Sequence, residues 1–160
     1  MAMPTLYYAG NFAAPTTAPP VAVATGTTTK TLLQLSAPSS RGLNVVEWGI
    51  SFTGTPAAVV CELIHTTTVA GGTPTAVTPT VWSDALSSAS LVTAGFSPTS
   101  EGTVAATTRI GDVQIVSSNQ YIKQFPLGSE FDVPPSGVVR VRVTAATSVN
   151  ALCYVIWHEG

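Results

Sequence analysis

The hydrophobic positions of this chain alternate with polar ones over short segments, and that spacing is typical of β-strands. Trp48, Ile50 and Phe52 fall on one side of an extended segment. Glu47 and Ser51 fall on the other side. Because successive side chains of a strand point to opposite faces of the sheet, this segment is predicted to be a strand with one face buried and the other in water.

Seven or eight such strands are predicted along the chain, and turns rich in Gly, Pro and Ser separate them. They cover residues 30–36, 43–52, 57–67, 75–82, 102–110, 112–124, 137–145 and 149–158. One short helix is predicted at residues 84–91. Strands without helices between them indicate an all-β fold, an antiparallel β-sandwich. A jelly-roll topology is the first choice and an immunoglobulin-like arrangement the second.

The last strand, residues 149–158, breaks the alternation because both of its faces are apolar. Leu152, Tyr154 and Ile156 form one row, and an equally apolar row that ends in Trp157 forms the other. Each face must be covered by something. A loop or the N-terminal segment of the same chain is one candidate cover. A subunit interface built on Leu152, Tyr154 and Ile156 is the other.

The N-terminal residues differ in composition from the rest of the chain. Residues 13–29 mix Pro, Thr and Ala without an apolar face, which suits an extended, polyproline-like conformation. We therefore predict an extended arm over residues 1–29 and a single β-sandwich domain over residues 30–160. An apolar cluster precedes this segment, and it either covers its own domain or anchors the arm on a neighbouring subunit. Its members are Leu6, Tyr7, Tyr8 and Phe12.

Four charged residues flank the turn at residues 134–137 in a way that predicts ion pairs. Glu130 and Asp132 share one face of an extended segment, and Arg140 and Arg142 share another. A three-residue hairpin loop would place Asp132 opposite Arg140 and Glu130 opposite Arg142. Since exposed ion pairs stabilise a fold by only about 0–1 kcal/mol each, these pairs would fix the register of the hairpin.

Charge is scarce, which argues against most enzyme classes. The chain has 6 basic and 8 acidic residues among 160, against 24 threonines. Charged residues make up about a quarter of an average soluble domain, and they supply most catalytic acids and bases. The sequence also lacks a Gly-x-Ser-x-Gly elbow and a phosphate-binding glycine loop. We expect no enzymatic activity, no catalytic residue, no cofactor and no bound metal.

The net charge of −2 provides no long-range attraction for nucleic acid or for an anionic membrane, and neither is an expected partner. The first ten residues lack the layout of a secretory signal, which predicts synthesis in a cytoplasm. Cys61 and Cys153 are accordingly expected to be buried thiols and not a disulfide. Among the three tryptophans, Trp48 and Trp157 occupy strand positions whose side chains are predicted to point into the core. Trp82 instead ends its strand beside polar residues.

Three segments carry a resemblance to known proteins: KTLLQLSAPSSRGLNVVEWGISFTG, NQYIKQFPLGSEFDVPP and VVRVRVTAATSVNALCYVIWHE. Together they resemble a family of small β-rich proteins encoded among the head genes of tailed bacteriophages, and the likeness extends over residues 30–159. The resemblance implies a virion structural protein, a capsid decoration (cement) or minor capsid protein on the outer shell. Its implied partners are further copies of itself, as a homotrimer, and the major capsid protein. No functional residues carry over from that family.

A contact role suits a chain that has few charges and a strand with two apolar faces. In a trimer we expect residues 149–158 to lie near the threefold axis. The alternative is a receptor- or glycan-binding β-sandwich module of a phage tail fibre or of a bacterial surface protein. In that case Trp82 is the candidate platform.

Overall fold

Thirteen β-strands form the regular structure of the part of the chain that the computed structural model describes, residues 4–12, 19–54, 57–83, 87–104, 107–116 and 119–160. The strands are β1 (Leu6–Gly10), β2 (Val23–Ala24), β3 (Lys30–Ser36), β4 (Leu43–Thr53), β5 (Ala58–Thr66), β6 (Thr75–Val77), β7 (Thr80–Val81), β8 (Thr93–Phe96), β9 (Thr107–Val116), β10 (Gln120–Gln124), β11 (Phe131–Val133), β12 (Val138–Ala145) and β13 (Asn150–Glu159).

The strands form two antiparallel sheets. The seven-stranded sheet has the order β10-β4-β13-β1-β7, with β11 also paired to β4 and β2 also paired to β13. The six-stranded sheet has the order β6-β8-β3-β12-β5-β9. Of the long strands, β3, β5, β9 and β12 belong to the six-stranded sheet and β4 and β13 to the seven-stranded sheet, so the chain crosses between the sheets from β3 to β4, from β4 to β5 and from β12 to β13. The predicted all-β antiparallel sandwich is confirmed, and the jelly-roll topology stays a prediction.

One apolar core fills the space between the sheets. Trp48 and Trp157 come from the seven-stranded sheet and are fully buried, as their parity predicts. Leu33, Leu63 and Val141 face them from the six-stranded sheet and are equally buried. Burying a side chain of this size stabilises the fold by about 1.5–3 kcal/mol, so this layer accounts for most of the cohesion between the sheets.

Most of the predicted strands agree with the structure within one or two residues, and the differences have physical causes. The predicted strands at 102–110 and 112–124 are wrong: β9 runs through the expected break at residue 111, and β10 lies in the other sheet. The expected strand at 75–82 is divided into β6 and β7, one in each sheet. Of the predicted helix at 84–91, residues 84–86 lie outside the described residues and residues 87–91 are not helical.

The N-terminal residues belong to the sandwich, which corrects the predicted boundary at residue 29. β1 pairs with β13 over its whole length, from Leu6 opposite His158 to Gly10 opposite Tyr154. β2 pairs with the start of β13. β13 pairs with β4 along one edge, and β1 and β2 occupy its other edge. Residues 1–3 and 13–18 of the predicted arm lie outside the described residues.

Candidate binding surfaces

The two sheets have very different outer faces. In each central strand, alternate side chains point into the core, and the remaining side chains form the outer face. On β13, Val155 and Trp157 point into the core, so Leu152 and Tyr154 point outwards. On β12, Val139 and Val141 point into the core, so Arg140 points outwards. We call the outer face of the seven-stranded sheet the aromatic face, and that of the six-stranded sheet the charged face.

The N-terminal strand contributes to both sides of its sheet. Tyr7 is buried against Trp157, with ring centroids 6.0 Å apart. Tyr8 lies on the aromatic face and stacks on Tyr154 at 5.7 Å, with an angle of 24° between the rings. Leu6 is half-buried within the same strand. Tyr7 and Tyr8 thus contact their own sheet, as one of the two alternatives expects, and an anchor on a neighbouring subunit stays a prediction.

Two glycines allow aromatic rings to lie close against the sheet. A side chain at Gly49 would place its Cβ 2.5 Å from the ring of Tyr154. At Gly10 the Cβ would lie 2.4 Å from the ring of Phe12, the fourth residue of the predicted anchor. Gly49 sits on the polar side of the strand alternation, and an aromatic ring packed over a strand glycine protects the backbone there from water.

An apolar groove runs across the aromatic face, above β10, β4 and β13. Its volume is about 250 Å³. The residues that line it are uncharged: Tyr8, Phe12, Pro20, Ile50, Ser51, Gln120, Ile122, Leu152, Cys153 and Tyr154. Ile122 is 53% exposed on the edge strand β10, directly opposite Gly49. Within the described residues, this side of the sheet therefore retains apolar surface in contact with water.

Of the three residues of the predicted oligomer interface, two are accessible and one is buried. Leu152 and Tyr154 are half-buried and line the apolar groove. Ile156 is only 7% exposed, because it lies between Tyr8 of β1 and Glu47 of β4. Part of the second apolar face of β13 is thus covered by its own chain, and part remains accessible to a partner.

Tyr154 is held in a fixed orientation by a hydrogen bond. Its hydroxyl donates to Glu47 Oε1 at 2.6 Å. Burial raises the pKa of Tyr154 well above its ordinary value, and the neighbouring Glu47 carboxylate raises it further. The Glu47 carboxylate beside the groove thus accepts a hydrogen bond from a neutral hydroxyl.

Trp82 lies at the opposite edge of the aromatic face, beside β1 and β7. Its side chain is 60% exposed, as the sequence predicts. One side of its ring stacks on Tyr8 at 5.6 Å and 24°. Its backbone N–H donates to Leu6 O at 2.7 Å, and Leu6 N–H donates to Ser83 Oγ at 2.8 Å. Trp82 is therefore exposed but rigidly supported, and we call it with its Tyr8 support the Trp82 platform.

The centre of the charged face is closed by loops of the same chain, whereas Val60 and Val116 of the same sheet stay 41% and 47% exposed. Arg140 is fully buried, and its guanidinium donates to Thr68 O at 2.5 Å and to Glu101 Oε1 at 3.3 Å. Arg142 donates to Glu62 Oε1 at 2.6 Å and to Glu101 Oε1 at 3.1 Å. Because Thr68 and Glu101 lie on the segments 67–72 and 97–104, these bonds fix both loops over the sheet. Burial lowers the pKa of Arg140, and the Glu101 carboxylate opposes that shift.

The predicted hairpin ion pairs are wrong. β11, which carries Asp132, pairs with β4 of the seven-stranded sheet, whereas Arg140 and Arg142 lie on β12 of the six-stranded sheet. The turn between these strands therefore crosses from one sheet to the other. Asp132 is exposed, and Glu130 accepts a hydrogen bond from Gly128 N–H at 3.0 Å.

The true partners of the arginines were missed by the sequence reasoning. Glu62 lies directly opposite Arg142 on the neighbouring strand β5. Glu62 lies between Cys61 and Leu63, which both point into the core, so its side chain points to the outer face of the sheet. This alternation could be read from the sequence. Glu101 lies outside the strands, where side chains do not alternate between two faces, so its position could not be predicted from spacing.

The two cysteines are buried free thiols, which confirms the prediction. Burial raises the pKa of Cys61 to about 12. Burial also raises the pKa of Cys153, and the nearby Cys61 raises it further. Both thiols are therefore protonated and unreactive near neutral pH.

The described residues contain no cluster of three or more His, Cys, Asp and Glu side chains that could hold a metal ion. They also contain no helix of sufficient length and hydrophobicity to cross a membrane. No family of known proteins, no curated protein and no solved structure matches this chain.

Proposed function

We propose that this protein is a virion structural protein, a capsid decoration or minor capsid protein that binds the outside of a tailed-phage head. The observation that carries the proposal is the apolar groove, which combines Leu152, Tyr154 and the exposed Ile122. The family resemblance over residues 30–159 supplies the identity of the partner, the major capsid protein. Location on the outside of the virion follows from that partner.

The chemistry of the groove fits a permanent contact with another protein surface. Its lining residues carry no charge, so a partner that is apolar and uncharged at this point would bind without burying an unpaired ion. Rigid aromatic side chains such as Tyr8 and Tyr154 are typical of contacts that dominate binding energy. The groove therefore suits the shell better than an acidic or basic ligand.

We also propose that the protein forms a homotrimer, with Leu152 and Tyr154 near the contact between subunits or between the trimer and the shell. Sedimentation velocity on the free protein tests this part. A species of three chains at micromolar concentration supports it, and a stable monomer over the same range contradicts it.

Binding to purified heads that lack this protein tests the main proposal. The wild-type protein should sediment with such heads at saturating, stoichiometric amounts. Ile122→Asp places a charge in the groove, and we expect it to weaken head binding by at least about tenfold, since burying an unpaired carboxylate is costly. The matched control is Val116→Asp, because Val116 is 47% exposed on β9 of the other sheet. Failure of the wild type to bind, or equal binding by Ile122→Asp, would overturn the proposal.

A further inference from the structure

We propose that the Trp82 platform is a binding site for a neutral saccharide, beside the groove that contacts the shell and sharing Tyr8 with it. The exposed indole lies at the β7 edge of the sheet, whereas the rest of the groove lies over β10, β4 and β13. A site at that edge would let a protein attached to the shell also hold a sugar polymer at the surface of a cell.

The exposure of Trp82 is the first observation. The other two tryptophans, Trp48 and Trp157, are fully buried, and Trp82 alone of the three faces water over 60% of its surface. Leaving an indole exposed forfeits the free energy that its burial would contribute to folding. The exposed ring is thus not explained by stability.

The rigidity of the ring is the second observation. Tyr8 supports one side of the indole, and a backbone hydrogen bond from Trp82 to Leu6 holds its strand in place. Tyr8 in turn stacks on Tyr154, so three rings form a continuous ladder across β7, β1 and β13. A ring fixed in this way loses little conformational entropy when a ligand packs against it.

The polar groups around the platform are the third observation, and they determine the class of ligand. Thr80 lies directly opposite Tyr8, and Thr78 and Thr80 line a small depression beside that ring. Both threonines are exposed, as is Ser83 next to Trp82. Hydroxyl groups can donate and accept hydrogen bonds, which matches the hydroxyls of a sugar. The electron-rich face of an indole attracts the C–H groups on the flat side of a pyranose ring.

The absence of charge distinguishes a neutral saccharide from an anionic one. Among the described residues, those that line the depression beside Tyr8 are uncharged. A phosphate or a sulfated sugar would require a cation there. A neutral pyranose requires only an aromatic ring with hydroxyl or amide groups, and that combination is present.

An array of neutral oligosaccharides, including glucans, mannans, galactans and chitooligosaccharides, tests the proposal on the free protein without phage heads. The wild type should bind at least one of them. Trp82→Phe keeps an aromatic ring, and Trp82→Leu keeps apolar area without a ring. We expect Trp82→Leu to weaken binding at least about fivefold and Trp82→Phe to weaken it less, since ring stacking contributes about 1 kcal/mol.

The matched control is Leu127→Ala, because Leu127 is 91% exposed in the turn after β10. This variant should bind the same saccharide as the wild type. Acrylamide quenching provides a second measurement: the saccharide that binds should protect the one accessible tryptophan of the wild type from the quencher.

An array on which the wild type binds nothing overturns the saccharide site and leaves the shell proposal intact. Equal binding by Trp82→Leu and the wild type also overturns it. Loss of head binding in Trp82→Leu with a silent array would assign the platform to the shell contact, and the saccharide proposal would again fail.

Discussion

The two outer faces of this sandwich differ in how their large side chains are covered or exposed to water. The charged face buries Arg140 and Arg142 under loops that are fixed by Glu101 and Thr68. The aromatic face has a comparable row of large side chains but leaves Trp82 and Ile122 exposed. A chain with so few charges uses several of them to close the centre of one face, although Val60 and Val116 at its end stay 41% and 47% exposed. The exposed apolar residues of the aromatic face differ in that they lie beside a groove. We therefore propose the aromatic face, which carries the apolar groove, as the binding side of the molecule.

The largest effect is expected from Arg140→Met on the charged face. Removing one member of a buried charged network leaves its partners unpaired, which costs about 3–5 kcal/mol. The free energy of unfolding in urea should fall by about that amount. The control is Arg41→Met, because Arg41 is 46% exposed and lies 3.9 Å from Glu159 Oε2, a buried carboxylate that also accepts hydrogen bonds from Ser90 and Leu91. A long contact from a half-exposed arginine to a carboxylate with other partners contributes about 0–1 kcal/mol. Equal losses in the two variants would show that the charged face is not a closed network.

A smaller effect is expected from Glu101→Ala. The Glu101 carboxylate accepts hydrogen bonds from Thr31, Arg140 and Arg142, and their loss should lower the free energy of unfolding by about 2 kcal/mol. Hydrogen exchange should become faster in residues 97–104 before other regions change. Glu130→Ala is the control, because its carboxylate accepts a hydrogen bond from Gly128 of its own turn and not from residues 97–104 or their partners. Unchanged exchange in 97–104 after Glu101→Ala would contradict the role given to this carboxylate.

On the aromatic face, Tyr154 should make stability depend on alkaline pH. Its pKa is raised above the ordinary 10.0, as are those of Tyr7 and Tyr8, so the folded protein holds these protons more tightly than the unfolded chain does. The stabilisation is present below pH 10 and is lost as the pH rises further. Urea midpoints measured from pH 8 to 11.5 should therefore fall above pH 10. Tyr154→Phe should reduce that fall, and an identical fall in the variant would contradict the assignment.

The smallest effect on stability is expected from Trp82→Ala. Its indole contacts Tyr8 but is otherwise exposed, so the free energy of unfolding should change by less than about 1 kcal/mol. Tyr7→Ala removes a buried ring of the same sheet and should cost about 3 kcal/mol or more. Urea unfolding compares the two variants. Similar losses would mean that Trp82 is a structural residue and not an available surface.

The sequence predicted the central strands well, because their alternation reflects burial on one face. β3 has the predicted bounds, and the core positions of Trp48 and Trp157 follow from parity alone. β1 was missed for a physical reason: Leu6–Gly10 is short, and its place beside β13 depends on an edge formed by residues about 150 positions later.

The charged network was missed for a related reason. Local spacing connected Arg140 and Arg142 with Glu130 and Asp132 across one turn, but that turn crosses between sheets. The actual partner Glu62 comes from β5, whose pairing with β12 is a long-range contact. Parity can place a residue on a face, whereas it cannot show which strand lies beside it.

Hydroxyl-radical footprinting of the protein, free and bound to purified heads that lack it, tests the central claim most directly. We expect Ile122 and Leu152 on the aromatic face to become protected from oxidation on binding. Val69, which is exposed on a loop of the charged face, should keep its reactivity. Protection of Val69 with unchanged reactivity at Ile122 and Leu152 would contradict the claim that the aromatic face is the binding side.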